Sequence, residues 1–343
     1  MQSTCKGFST DVTIPASLIV CARNEEKNLP TLLLALQNQK HPLLDIILVN
    51  DNSSDQTGIL MEEWKNKHPS KVRVLHLDKH HIRHAAGKKE AFQMGVKAAQ
   101  HDIILTTDAD CLPISPQWAN YMTTCMDSQT DFVLGHSPVH NGLLISAWDN
   151  YTTALQYLSY AAAGIPYMGV GRNMAFRKQK WLTFQGDAGH SKLESGDDDL
   201  PVNQLANRHN TKVCLHPNSF VMTSGETSGW EWIRRKIRHS RTGLWYKPIH
   251  LFLLTTFTAA KGIYFISCIV CLLLAPFTYI LLLIVPGLLY FLLIRNTFNK
   301  LGYEHLKKWF PIADLVHFFA LSILPLLLLL PGKDYWRHKK LSD

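Results

Sequence analysis

Residues 102–110 read Asp-Ile-Ile-Leu-Thr-Thr-Asp-Ala-Asp, and the reading of this stretch decides the fold. Asp102–Thr106 (DIILT) is a short, branched, mostly apolar run bounded by polar residues, which predicts a β-strand rather than a helix. Asp108 and Asp110 follow directly. In extended chain, residues two apart point to the same face, so both carboxylates can converge on one side just past the strand end. Such a pair suits a hard divalent cation, Mg²⁺ or Mn²⁺, whose remaining positions are filled by phosphate oxygens. The plain alternative is a solvated Asp pair capping the turn before Pro113, because Asp-x-Asp by itself is common.

Upstream, the same pattern repeats. Ser17–Cys21 (SLIVC), Asp45–Asn50 (DIILVN) and Val72–Leu77 (VRVLHL) read as strands, with helical patterns over Asn28–Gln39, Asp55–Lys67 and Gly87–Gln100 between them. Strand–helix alternation predicts an α/β domain with a mostly parallel, Rossmann-like sheet covered on both faces. Ligands of such sheets bind outside the carboxyl ends of the strands. The tips there are Arg23–Asn28, Asp51–Ser54 and Asp108–Asp110, all rich in carboxylates and amides. Further on, Trp148–Tyr160 reads as helix, Gly169–Arg177 as a glycine-bearing stretch ending in a strand, and Ser195–Asn207 opens on an acidic cluster.

The composition changes sharply near residue 249. Leu251–Leu274, Pro276–Ile294 and Ile312–Leu330 are each close to the roughly 20 apolar residues that a membrane crossing needs, which predicts two or three transmembrane helices. Lys261, Asp314 and His317 interrupt them, and charges at such positions turn toward protein or water. Trp230–Tyr246 mixes aromatic and basic residues as an interfacial helix does. The chain has 343 residues and a formal charge of +8, much of it in Arg234–Arg241 and Lys333–Lys340, which flank the apolar region. That placement fits the positive-inside pattern and anionic headgroups. It argues against nucleic acid as partner, since no binding motif accompanies the charge. No basic stretch leads into an apolar core at the N-terminus, so no cleaved signal peptide is expected and the first domain is placed in the cytosol. Seven scattered cysteines read as small buried hydrophobes in a reducing compartment. His76, His80, His81 and His84 read as a solvated loop rather than a transition-metal site.

Taken in order, Ala22–Glu26 (ARNEE), Val49–Thr57 (VNDNSSDQT), Gly87–Gly95 (GKKEAFQMG), Asp108–Asp110 and Gly196–Leu200 (GDDDL) resemble the motifs of the family-2 inverting glycosyltransferases with the GT-A fold. The resemblance covers roughly residues 16–243. It implies a nucleotide-diphosphate sugar donor contacted by Asn24, Glu25, Asp51, Lys88 and Asp108. It also implies a divalent metal on Asp108 and Asp110. The general base falls at Asp197 or Asp198, the family's preceding Glu being replaced here by Gly196. Gly169–Arg177 resembles the acceptor-side strand, led by Gly171 and Asn173. The stretch Arg235–His239 resembles the Q-x-x-R-W of polymer-forming members, with Arg238 kept, Arg235 for Gln and His239 for Trp. Arg235 and Arg238 are thus candidates for the diphosphate or acceptor, and loss of the Trp favours single-sugar transfer over processive synthesis.

The expected organisation is a cytosolic GT-A domain over 1–229, a basic and aromatic interfacial segment over 230–248, transmembrane helices over 249–331 and a basic tail over 332–343. The expected function is membrane-bound transfer of a hexose or N-acetylhexosamine to a lipid-like or cell-envelope acceptor. The rivals are a processive polysaccharide synthase and a catalytically silent membrane scaffold.

Overall fold

The computed structural model describes residues 5, 13–77, 88–184, 196–274 and 280–328. His80, His81, His84, Gly87 and the basic tail lie outside them. The elements run β1 (Ala16–Ala22), α1 (Leu29–Gln37), β2 (Leu44–Asn50), α2 (Thr57–Lys67), β3 (Val72–His76), α3 (Lys89–Ala98), β4 (Ile103–Asp108), β5 (Cys111–Pro113), α4 (Trp118–Thr123), β6 (Phe132–Leu134) and β7 (Val139–His140). They continue as α5 (Leu144–Ala162), β8 (Met174–Arg177), α6 (Lys178–Leu182), α7 (Asp199–Leu205), β9 (Thr211–Val213), β10 (Val221–Ser224), α8 (Gly229–Gly243), α9 (Pro248–Leu274), α10 (Ile280–Lys300) and α11 (Ile312–Leu328).

The main sheet has the order β3-β2-β1-β4-β8-β6-β9. Strands β3, β2, β1 and β4 are mutually parallel, while β8 runs antiparallel to both β4 and β6. β1 is apolar on both faces because both are covered. Leu18 and Val20 pack with Leu32, Leu36 and Trp64 on one side, and Ile19 packs with Phe92, Val96 and Phe176 on the other. The register pairs Ala22 with Asn50 and Cys21 with Asp108. The polar tips after β1, β2 and β4 therefore stand side by side at one edge. α3 packs tightly on the sheet at Gly95, where an added Cβ would sit 2.7 Å from the Ile19 side chain. A short second sheet, β5-β10-β7, leads from Asp110 to the loop before α8.

The cysteine expectation needs a correction. Cys5 and Cys125 form a disulfide across 120 residues of sequence, with Cys214 beside them. Spacing along the chain carries no sign of a pairing that the fold creates. Cys21, Cys111, Cys214, Cys268 and Cys271 are free thiols.

By length and composition, one helix among the described residues, over Pro248–Cys271, is long and apolar enough to cross a membrane, and Ile312–Ile323 is a shorter apolar helix. Large apolar side chains on α9, α10 and α11 point outward. Ile263, Leu273 and Leu293 are 67%, 76% and 79% exposed.

Candidate active site

A cleft of about 610 Å³ opens at the carboxyl ends of β1, β2 and β4. Cys21, Ala22, Arg23, Glu25 and Asp51 line it from the first two tips, and Asp108 and Asp110 from the third. Arg172, Asp197, Asp198 and residues of α8 close the far side. Sequence positions spread over more than two hundred residues meet here because the polar tips after β1, β2 and β4 share one sheet edge, while the start of α7 and one side of α8 face them across the cleft.

The first two tips hold one another. Asn24 takes positive φ (55°) and its Oδ1 accepts the Ser54 N–H at 2.8 Å, while the Asn24 N–H donates to Ser53 Oγ at 3.1 Å. The Glu25 N–H donates to Thr57 Oγ1 at 2.8 Å, and Glu26 Oε2 accepts the Gln56 N–H at 3.0 Å. Asn24 thus acts as a staple between turns, whereas Glu25 and the buried Asp51 reach the cleft wall.

Lys88, at the start of α3, donates from Nζ to Asp108 Oδ1 at 2.7 Å and lies 3.8 Å from Asp197 Oδ2. Burial opposes its charge, but Asp108, Asp197 and Asp198 outweigh it and hold the ammonium well above the usual lysine range. Burial would likewise raise Asp108, yet Lys88, and behind it Arg172 and Arg238, keep its carboxyl below the ordinary carboxylate value. Asp110 is exposed.

The oxygens of Asp108 and Asp110 and the sulfur of Cys111 all lie within 4.8 Å of one another. Burial pushes the Cys111 thiol up, so it stays protonated and offers no hard donor. That leaves two carboxylates on an open cleft floor, a donor set that fits Mg²⁺ or Mn²⁺ keeping positions for water and phosphate oxygens.

Asp197, Asp198 and Asp199 are adjacent in sequence but differ in surroundings. Gly196 takes positive φ (98°), and a side chain there would meet Leu200, which accounts for glycine at this place. Asp198 Oδ2 accepts the Gly171 N–H at 2.6 Å, and its Oδ1 accepts the Asp199 N–H at 2.9 Å as the cap of α7. Burial and the neighbouring Asp197 raise its pKa. Asp199 is buried and accepts the Tyr246 hydroxyl at 2.7 Å. Burial and Asp198 push its carboxyl up to about 8. Asp197 is left facing Lys88 and the cleft.

Gly171 serves as a backbone donor to Asp198. Asn173, expected on the acceptor side, is 1% exposed and lies in the core instead. Its amide donates to the carbonyls of His136 (2.7 Å) and Ser219 (2.9 Å) and its Oδ1 accepts the Trp118 indole N–H at 3.0 Å. Its residue type suited either place, and only the turn ahead of β8 sends it inward. Arg235 and Arg238 both line the cleft from α8. Sequence reasoning passed over Arg172, which lies in the same motif between Gly171 and Asn173. It lines the cleft, feels both Asp108 and Asp110, and its buried Nε has no hydrogen-bond partner among the described residues. That turn, closed by the Asn173 N–H on the Val170 carbonyl, leaves Arg172 at the cleft, and no periodicity along the sequence marks it.

Residues 17–184 match the model of the family described as Glycosyl transferase family 2. Among curated proteins, the chain is similar to poly-beta-1,6-N-acetyl-D-glucosamine synthase of Staphylococcus epidermidis, 29% identical over 94 residues, or 27% of this chain and 21% of that one. It is also similar to undecaprenyl-phosphate 4-deoxy-4-formamido-L-arabinose transferase of Proteus mirabilis, 31% identical over 97 residues, 27% of this chain and 28% of that one. The matches thus span between a fifth and a third of these relatives' lengths. Among solved structures, a mannosyltransferase from Pyrobaculum calidifontis in complex with GDP-Man and Mn²⁺ superposes with a TM-score of 0.58 at 16% identity, covering 94% of this chain and 89% of that one. The fold is therefore GT-A, and residues 17–184 carry a domain of the family described as Glycosyl transferase family 2.

Proposed function

We propose that this chain is a membrane-bound inverting glycosyltransferase that moves one sugar from a nucleotide-diphosphate donor to a lipid-like or cell-envelope acceptor. The observation that carries the reading is the meeting of Lys88, Asp108, Asp110, Arg172 and Asp197 around one cleft. Asp51 and Glu25 lie on the donor's nucleoside side. Asp108 and Asp110 would hold a divalent cation, which when bound neutralises charge on the diphosphate. Lys88, Arg172 and Arg238 place fixed positive charge where the leaving group gathers negative charge, an electrostatic role. Asp197 takes the proton from the acceptor hydroxyl as that oxygen attacks the anomeric carbon. A single displacement inverts that carbon and needs no enzyme nucleophile.

Surroundings favour Asp197 over Asp198 as base. Each hydrogen bond to a charged group contributes about 1.5–3 kcal/mol, and Asp198 would have to loosen two of them to act. The exposed apolar surface of α9–α11 supports membrane attachment, since patches of that kind on a water-facing surface are rare. The basic, aromatic α8 beside it supports a catalytic domain on the cytosolic face. The Proteus relative, whose name carries undecaprenyl-phosphate, supports a lipid acceptor.

The test is nucleotide release from UDP-, GDP- and dTDP-sugars by the full chain in lipid, with Mg²⁺, with Mn²⁺ and with chelator. Release that needs metal and is lost in Asp110→Asn and Asp197→Asn is the expected outcome. No release from any donor, even with lipid extract supplied, would leave the silent scaffold as the better reading.

A further inference from the structure

Lys261, Asp314 and His317 interrupt otherwise apolar helices, and the fold gives each of them a protein partner. Lys261 Nζ on α9 lies 2.6 Å from Asp314 Oδ1 on α11. One turn further along α11, His317 Nε2 lies 2.9 Å from Oδ1 of Asp149, a residue of α5 that is 3% exposed and does not line the cleft. Two cations of α8 meet the same carboxylate. Lys236 Nζ is 2.8 Å from Oδ1 and Arg235 Nη2 is 3.5 Å from Oδ2. Arg235 Nε is also 2.7 Å from Glu226 Oε1, and Glu226 Oε2 accepts the Ser146 hydroxyl of α5 at 2.5 Å. The buried Trp232, one turn before, stands 6.3 Å from the His317 ring between centroids.

Helix periodicity divides α8 into two faces. Glu231, Arg235, Arg238 and His239 line the cleft, whereas Trp232 and Lys236 face α5 and α11. Arg235 joins the two, being in the cleft wall and ion-paired behind it. Asp149 and Glu226 balance Arg235 and Lys236 charge for charge. Burial disfavours an ionised Asp149, but Lys236, His317 and Arg235 outweigh that and hold its carboxyl far below the usual range. Breaking such a set by removing one member leaves buried charge uncompensated.

We propose that Asp149 is a positioning residue for the transferase. It holds α8 so that Arg235 and Arg238 face the donor diphosphate, and through His317 it ties that setting to the seat of α11. The inference rests on the proposed transferase reading for its catalytic consequence. The physical advantage is preorganisation, because a long arginine side chain anchored from behind loses less rotamer freedom when it meets its ligand.

The experiment uses the full chain in lipid nanodiscs and reads steady-state nucleotide release together with hydrogen–deuterium exchange. Asp149→Asn should lower kcat at least tenfold with donor KM within threefold of the parent. Exchange should rise across residues 229–243 and stay unchanged in β1–β4. His317→Leu should shift both readouts the same way, and His317→Gln, which retains a group able to donate to Asp149, should recover most of the loss. If Asp149→Asn does not accumulate folded, Lys236→Gln carries the same comparison. A kcat within threefold of parent, or exchange unchanged across 229–243, overturns the proposal. If the parent releases no nucleotide from any donor, the transferase reading has failed separately, and the exchange comparison still decides whether Asp149 holds α8.

Discussion

Asp197 and Asp198 are neighbours of one residue type, and their hydrogen bonds divide their work. Asp198 spends both oxygens on the backbone of Gly171 and Asp199, while Asp197 faces Lys88 across the cleft. Replacing Asp197 with Asn should cost 10²- to 10⁴-fold, by order of magnitude, in turnover at unchanged thermal stability, the range of a lost general base. Asp198→Ala should instead lower stability by about 1–2 kcal/mol through the lost cap of α7, visible as a reduced Tm. Equal turnover in Asp197→Asn and parent would remove the proposed base. Asp199 adds a pH dependence. In the folded chain its carboxyl titrates near 8, against roughly 4 when unfolded, so between these values the native state holds the extra proton. Its contribution to stability is therefore greatest at low pH and is lost as pH rises toward 8. Asp199→Asn, which keeps an acceptor for Tyr246, should flatten the fall in Tm between pH 5 and 8, and an unchanged slope would assign that fall to other groups.

At the scale of elements, the strand–helix pattern up to residue 110 was legible because period and length agree. The readings Ser17–Cys21, Asp45–Asn50 and Asp102–Thr106 differ from β1, β2 and β4 by at most two residues at either end. α3 shows why its glycine is needed. In an open helix, exchanging Gly for Ala gains about 1 kcal/mol. At Gly95 an added Cβ would stand 2.7 Å from Ile19 Cγ2 and 3.2 Å from Val49 Cγ2, inside a packed layer. Overpacking of that kind costs about 1–3 kcal/mol. Gly95→Val, which adds branching as well, should lower Tm by several degrees, and a Tm at or above the parent's would show that α3 can retreat from the sheet without loss.

At the scale of the whole molecule, α9, α10 and α11 gather at the end of the chain with apolar side chains turned outward and the Lys261–Asp314 pair turned inward. Inward charge with outward hydrocarbon is the arrangement that a lipid surrounding favours. The chain expressed in cells should therefore sediment with membranes and stay there after an alkaline carbonate wash. Release into the supernatant would place α9 on a membrane surface or a protein partner rather than across the bilayer. The Pyrobaculum structure covers 94% of this chain, so its GT-A likeness extends beyond the catalytic sheet.

By itself the sequence determined the α/β order, the sheet edge at which the polar tips gather and most of the residues that line the cleft there. These follow from local periodicity and from acidic or amide residues at strand ends, both of which are written along the chain. Only the tertiary structure decided that Asn173 turns into the core, that Arg172 turns out, that Cys5 meets Cys125 and that Asp149 stands behind Arg235. Each of those depends on which distant segments pack together, and spacing along one sequence records no such contact.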